Sequence, residues 1–351
     1  VKKVIACTIF CLFIIVIPSS GWAWLDYEVS AVQRLNVLEG DTGAAADMEA
    51  GFGETLFNLE LKAELIRELE GQLVLEASEA EEVEISELFV NQREVIADVD
   101  LRLGRFEINY GDQGRYRSGN ADVQDNYLVG NALVDPAVEQ IGAELSGAYG
   151  LTGWSASVTN GIEGAGFEED RGFAVTAKLW RRLFPGLQGS VSYYRVDHST
   201  DDNGETTNFA YSGNSAAAYG GLIKDLEPNP LDEESKIDAY QADLDYDLET
   251  YEIPLSFYGH VGRLELEEDE VDYWSVEGRH RLGQLGHCGA RYGALAYEEE
   301  GRVNRLQIGV GYEINPLTLA KLEYVNQDDN FEGSQGKHEF EGLVGEVSIS
   351  W

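Results

Sequence analysis

The sequence predicts an all-β protein, a transmembrane antiparallel β-barrel of about sixteen strands. Three observations lead there. Short segments with alternating apolar and polar side chains recur along the chain, and their connections alternate between tight and long. After residue 23 no run of 18 apolar residues occurs, so spanning helices are ruled out. In lipid every backbone polar group has to be paired internally, so a non-helical chain crosses only as a closed barrel with apolar residues outward and polar ones inward.

The elements follow in order. Lys2 and Lys3 precede an apolar stretch from Val4 to Ile17, and Gly21 and Ala23 are the small residues before a cleavage point. Residues 1–23 therefore read as a secretory signal peptide and residues 24–351 as the barrel. Strand segments are expected at 25–36, 56–68, 72–79, 85–93, 98–110, 138–149, 153–160 and 172–180, then at 187–197, 238–248, 251–264, 271–282, 287–297, 303–314, 317–327 and 339–351.

Alternation is clearest at Leu306, Ile308, Val310, Tyr312 and Ile314 against Arg305, Gln307, Gly309, Gly311 and Glu313. It also sets Leu59, Leu61, Ala63 and Leu65 against Glu60, Lys62 and Glu64, and Ile141, Ala143 and Leu145 against Gln140, Glu144 and Ser146. Tyr240, Ala242, Leu244 and Tyr246 likewise oppose Asp243, Asp245 and Asp247. Tight connections are expected at residues 69–71, 149–152, 249–250 and 315–316, and long ones at 38–55, 111–137 and 198–237. A further hairpin within 198–237 would raise the strand number to eighteen.

Charge and cysteine content narrow the function. The formal net charge of −39 becomes −41 once Lys2 and Lys3 leave with the signal, which argues against nucleic acid as a partner. Only Cys288 follows the signal, so neither an intramolecular disulfide nor a cysteine-based zinc site is available. A soluble all-β fold would need a polar exterior, whereas the outward set here is apolar on nearly every strand.

The last strand carries Leu343, Val347, Ile349 and Trp351 on one face, and this closing aromatic resembles the end of bacterial outer-membrane barrels. Architecture over residues 24–351 resembles the sixteen-stranded bacterial porins. The segment Asp100-Leu-Arg-Leu-Gly-Arg-Phe-Glu-Ile-Asn-Tyr-Gly111 and the stretch from Val134 to Glu144 are similar to porins related to the phosphate-selective group. The resemblance implies a Gram-negative cell outer membrane as the location, with outer-membrane lipid and lipopolysaccharide around the barrel. It further implies small hydrophilic solutes or ions within the barrel, a homotrimer, passive transport and no cofactor.

In such porins the loop after the fifth strand folds inward and narrows the pore. Here that loop is 111–137, with Asp112, Arg115, Arg117 and Asp122 as charged constriction residues. Arg102 is expected to face inward. A bulge at Gly104 would shift the phase and turn Arg105 and Glu107 inward with Phe106, Ile108 and Tyr110 outward; without it Arg105 faces out. Arg279, Arg281 and Arg291 are the basic residues expected on the facing wall. Predicted inner carboxylates, among them Glu144, Asp243, Glu277, Glu323 and Glu346, outnumber the inner Lys and Arg, and only six Lys follow the signal. The expectation is a general porin, weakly cation-preferring or nearly unselective, with an anion- or phosphate-preferring porin as the alternative.

An enzyme is not expected. His198, His260, His280, His287 and His338 are scattered, and no nucleophile–base arrangement assembles from their spacing. No metal-ligating pattern is recognised either. The remaining reading is an adhesin whose acidic loops, at 79–84 and 265–270, bind something outside the cell.

Overall fold

In a computed structural model the described residues are 24–41, 51–66, 68–78, 84–111, 139–160, 173–199, 234–266, 269–297, 301–329 and 339–350. Residues 1–23, expected to be a signal peptide, and Trp351 lie outside them. Sixteen strands form one closed sheet: β1 (Trp24–Asp41), β2 (Gly51–Ile66), β3 (Leu69–Ser78), β4 (Glu84–Ile96), β5 (Val99–Glu107), β6 (Glu139–Tyr149), β7 (Thr152–Thr159), β8 (Phe173–Phe184), β9 (Leu187–Ser199), β10 (Glu234–Asp247), β11 (Leu255–Leu266), β12 (Asp269–Leu282), β13 (Gly286–Tyr297), β14 (Gly301–Asn315), β15 (Thr318–Asp329) and β16 (Glu339–Ser350). Every strand pairs antiparallel with its sequence neighbours, and β1 closes on β16 in a register running from Ser30 opposite Ser350 to Asp41 opposite Glu339. Closure leaves no open edge, which is the condition for a sheet in lipid.

β9 and β10 pair directly, Ser199 opposite Glu234, so no hairpin enters the wall between them and the strand number is sixteen. Short connections follow β2, β4, β6, β8, β12 and β14 at one end, where the longer 248–254 after β10 also lies, and the connection after β11, at the other end, is just as short. Several limits differ from expectation. The first tight turn falls at 67–68 instead of 69–71, β1 runs on to Asp41, and β5 stops at Glu107 instead of 110. The acidic run 265–270 is largely strand, with Glu265 opposite Glu270 where β11 meets β12, so the expected loop there shrinks to 267–268.

Alternation holds where it was expected. Ile308, Val310 and Tyr312 expose 48%, 50% and 55% of their surface outward, while Arg305 and Gln307, on the opposite face of the same strand, are buried inside. The outward aromatics pair as Tyr193 with Tyr240 and Trp274 with Tyr292, ring centroids 5.2 and 5.6 Å apart. Such side chains suit the border between hydrocarbon and headgroups.

The inner face departs from the polar-inward rule. Tyr194 and Val196 of β9, Ala239 of β10, Leu264 of β11, Val271 and Tyr273 of β12 and Leu295 of β13 form a buried apolar cluster with Ile108 and Tyr110. These inner positions are covered by protein in place of water, so burial of their apolar surface is favourable there.

Candidate channel constriction

β5 ends its pairing with β4 at Arg105 opposite Leu88, and with β6 at Glu107 opposite Glu139. Beyond Glu107 the chain leaves the wall. The Tyr110 N–H donates to the Ile108 carbonyl at 3.0 Å, a two-residue reversal that carries the next residues inward. Ile108 and Tyr110 are fully buried. The two hydroxyls of Tyr110 and Tyr273 lie 3.1 Å apart, and the Tyr110 ring meets Tyr194 edge-on at 6.4 Å. The Gly111 N–H donates to Ser192 Oγ at 3.1 Å, and the Gly111 carbonyl accepts from Lys178 Nζ. Lys178, Ser192 and Tyr273 belong to β8, β9 and β12, three to seven strands away from β5, so these contacts cross the barrel interior.

Gly111 is needed at this point. Its φ of 61° is left-handed, and a Cβ would sit 2.5 Å from Gln241 Nε2. Behind it a chain of hydrogen bonds runs along the anchoring wall. Tyr273 donates to Gln241 Oε1 at 2.8 Å, Gln241 to Asp243 Oδ1 at 2.5 Å, Tyr258 to the same oxygen at 2.7 Å, and Ser190 to Asp243 Oδ2 at 2.8 Å. Gln140 of β6 donates to the Tyr194 hydroxyl at 2.9 Å and accepts from Thr159. Buried polar groups linked in this way hold one arrangement, because any break leaves a group unsatisfied.

Arg102 faces inward as expected. Its Nη1 lies 3.5 Å from Glu144 Oε1, and its guanidinium stacks over Phe89 and Phe106 at 4.8 and 5.6 Å from the ring centroids. Arg105 and Glu107 do not join it. The β4–β5–β6 ladders run without a register shift through Gly104, which takes φ 136° but inserts no extra residue. The phase expected from a bulge at Gly104 is therefore corrected: Phe106, Ile108 and Tyr110 are inward, and Arg105 and Glu107 share the outer face with Leu103.

On the other side, Arg291 Nε contacts Glu277 Oε2 at 2.7 Å, both side chains being 3% exposed. Arg279 stands inward one pair nearer the tight turns. Arg281 is at that rim, 3.4 Å from Glu249. β5 and β13 are half the ring apart. Asp112, Arg115, Arg117 and Asp122 lie outside the described residues.

Inner carboxylates are largely matched. Besides Glu144 and Glu277, Glu346 meets Lys321 at 2.8 Å, Glu60 meets Lys62 at 2.7 Å, and Glu323 accepts from Gln307 at 2.9 Å. Lys178 and the tyrosine anchors were not identified from sequence. Inward parity alone finds Lys178, next to Thr176, but nothing in the pattern marks Tyr110 as leaving the sheet. Among the described residues no three His, Cys, Asp or Glu gather at metal-binding distance. His260 lies beside Tyr258, Ser275 and Tyr273, while His280 donates to the Pro254 carbonyl on the outer face.

A closed sixteen-stranded antiparallel barrel is a fold of outer-membrane porins and channels. No protein-family model matches the chain, and no curated protein is similar to it in sequence. Solved structures do match. The outer-membrane channel DcaP of Acinetobacter baumannii superposes with a TM-score of 0.64 at 11% identity, covering 95% of this chain and 99% of that one. A loop-deleted OmpT, an outer membrane protein of Vibrio cholerae, gives 0.62 at 11% identity over 94% and 99%. An anion-selective porin from Comamonas acidovorans gives 0.61 at 10% identity over 94% and 100%.

Proposed function

We propose that the chain is a passive porin of the outer membrane, exported behind the signal at 1–23, that lets small hydrophilic solutes and ions diffuse through a water-filled pore. The observation that carries this reading is the course of residues 108–111, which leave β5 and fasten to the far wall inside a closed barrel. A segment tied across the interior reduces the free cross-section, and the loop that continues from it, with Asp112, Arg115, Arg117 and Asp122, forms the constriction.

Selectivity is weak in this reading. Fixed charge acts strongly in a narrow aqueous passage with low-dielectric walls, but each ion pair inside it contributes little net field. Glu144, Glu277, Glu346 and Glu60 each have a cation within 3.5 Å, which leaves a slight acidic excess and a weak preference for cations. A phosphate-selective channel would want unpaired cations, and Arg102 and Arg291 both have carboxylate neighbours.

The test is planar-bilayer recording of the folded protein under a salt gradient. Stepwise conductance with a reversal potential slightly on the cation side and well below the Nernst limit is expected. Strong anion preference would overturn the selectivity assignment, and absence of conductance from folded barrels would overturn the channel itself.

A further inference from the structure

Near the end that carries only short connections, one outward row crosses β7 to β12 as Thr152, Arg181, Gly189, Leu244, Gly259 and Val276. Leu244 and Val276 are half exposed, while Asp243 and Glu277 beside them are buried on the inner face. Arg181 is exposed and is the one charge in the row. One step nearer the turn, a register shift between Arg182 and Phe184 brings Phe184 edge-on against Tyr246, ring centroids 5.9 Å apart. Outward aromatics close to the strand ends mark the border between hydrocarbon and headgroups.

Two features set this place apart. Outward arginines towards the opposite rim are matched by the protein itself, Arg263 with Asp272 and Glu270, and Arg195 with Asp238. Arg181 forms no hydrogen bond or ion pair with a described residue, so its counter-anion comes from outside the chain. Its stem is long enough for the guanidinium to reach the headgroup layer from this row. The second feature is Gly189, directly opposite Arg181. Gly153 and Gly262 are required by the rings of Trp180 and Tyr273, which a Cβ would meet at 2.2 Å. At Gly189 a Cβ would meet nothing closer than 3.7 Å, so this glycine leaves a hollow that the protein does not fill. Leu179, Leu183, Val191 and Leu244 stand around it, each about half exposed.

We propose that the outer wall of β8–β10 seats an anionic glycerophospholipid of the periplasmic leaflet, its phosphate on Arg181 and one acyl chain rising over Gly189 towards Val191. Short connections mark the periplasmic end of such barrels, which fixes the leaflet. A guanidinium binds phosphate through paired, charge-assisted hydrogen bonds. A zwitterionic headgroup already offsets its phosphate with its own ammonium, so the arginine favours a lipid of net negative charge. The hollow faces hydrocarbon, and only an apolar chain fills it without a desolvation cost. The inference rests on the membrane reading above and adds a ligand on the outer wall, away from the pore.

The test uses the full chain expressed in outer membranes, extracted in mild detergent and mixed with equal amounts of phosphatidylglycerol or phosphatidylcholine. Native mass spectrometry is expected to show phosphatidylglycerol retained on the barrel and at least tenfold less phosphatidylcholine. Arg181→Gln is expected to lower phosphatidylglycerol retention at least tenfold, whereas Arg182→Gln, on the inner face, leaves it unchanged. Gly189→Leu fills the hollow and is expected to lower retention with Arg181 intact. Phosphatidylglycerol carrying a photoactivatable acyl chain is expected to label β9 and β10 around Val191 and Leu244. Equal retention of the two lipids, full retention by Arg181→Gln, or labelling confined to other strands would overturn the proposal. So would release of the lipid by excess inorganic phosphate, which would assign the arginine to a soluble anion. If Arg181→Gln fails to fold, labelling of the unaltered chain decides. Failure of the membrane reading would show separately, as an absence of heat-modifiable protein in the membrane fraction, and failure of the channel as an absence of conductance from barrels that still retain the lipid.

Discussion

Cutting the tie at Tyr110 should loosen the constriction without opening the wall. Tyr110 belongs to no strand, its ring is fully buried, and its hydroxyl meets that of Tyr273 at 3.1 Å. Tyr110→Ala removes a ring whose loss from a well-packed site costs about 3–5 kcal/mol. The sheet hydrogen bonds are untouched, so the cost falls on the docking of residues 108–111. At about 1.4 kcal/mol per factor of ten, a loss of 3 kcal/mol raises the undocked fraction roughly a hundredfold. Tyr110→Phe keeps the ring and gives up only the hydroxyl contact, about 1 kcal/mol. Single-channel recording reads the difference. The alanine variant is expected to show higher mean conductance and added open-channel noise, the phenylalanine variant a small change, and protease is expected to cut within 112–137 faster in the first. Equal conductance and equal cleavage in all three proteins would refute the argument that the segment is held by this ring.

Gly111→Ala should act in the same direction as Tyr110→Ala, since the new Cβ meets Gln241 and left-handed backbone costs about 1–2 kcal/mol for a residue with a side chain; single-channel noise is the readout. Arg102→Ala should move the reversal potential further towards cations, because Glu144 loses the guanidinium 3.5 Å away. Glu277→Gln strands the buried Arg291 charge and should destabilise the barrel by about 3–5 kcal/mol, seen as a lower urea midpoint of folding into vesicles, while replacing both residues by glutamine should cost less. Val261→Arg places a charge among outward apolar residues and should cost about 2–4 kcal/mol in the same measurement.

Period-two alternation made the barrel legible, because residues such as Ile308 and Val310 against Gln307 and Arg305 leave one consistent assignment of faces. The strand number followed from the same pattern. Legibility failed where a residue's surroundings are set by distant chain. Ile108 and Tyr110 continue the alternation of β5 and read as strand, but no pattern within β5 says that its last inward residues peel off to meet β9 and β12. Gly104 suggested a bulge, since glycine within a strand often marks one, yet the ladder absorbs its unusual φ with no inserted residue. That single phase decides whether Arg105 lines a pore or faces outward. Val271 and Tyr273 share the inward parity of Arg279 but not its polarity, and their packing with Ile108 and Tyr110 is what makes that position favourable.

The seam between β1 and β16 has a consequence for biogenesis. One edge of β1, from Ser30 to Asp41, finds its partner only in Glu339–Ser350, some three hundred residues later in synthesis. Until the chain is complete, that edge and the advancing edge of the growing sheet are both bare, and bare edges recruit other strands. The polypeptide therefore has to be kept apart from its own copies throughout transit and handed over whole, with closure of the seam as the committing step of insertion.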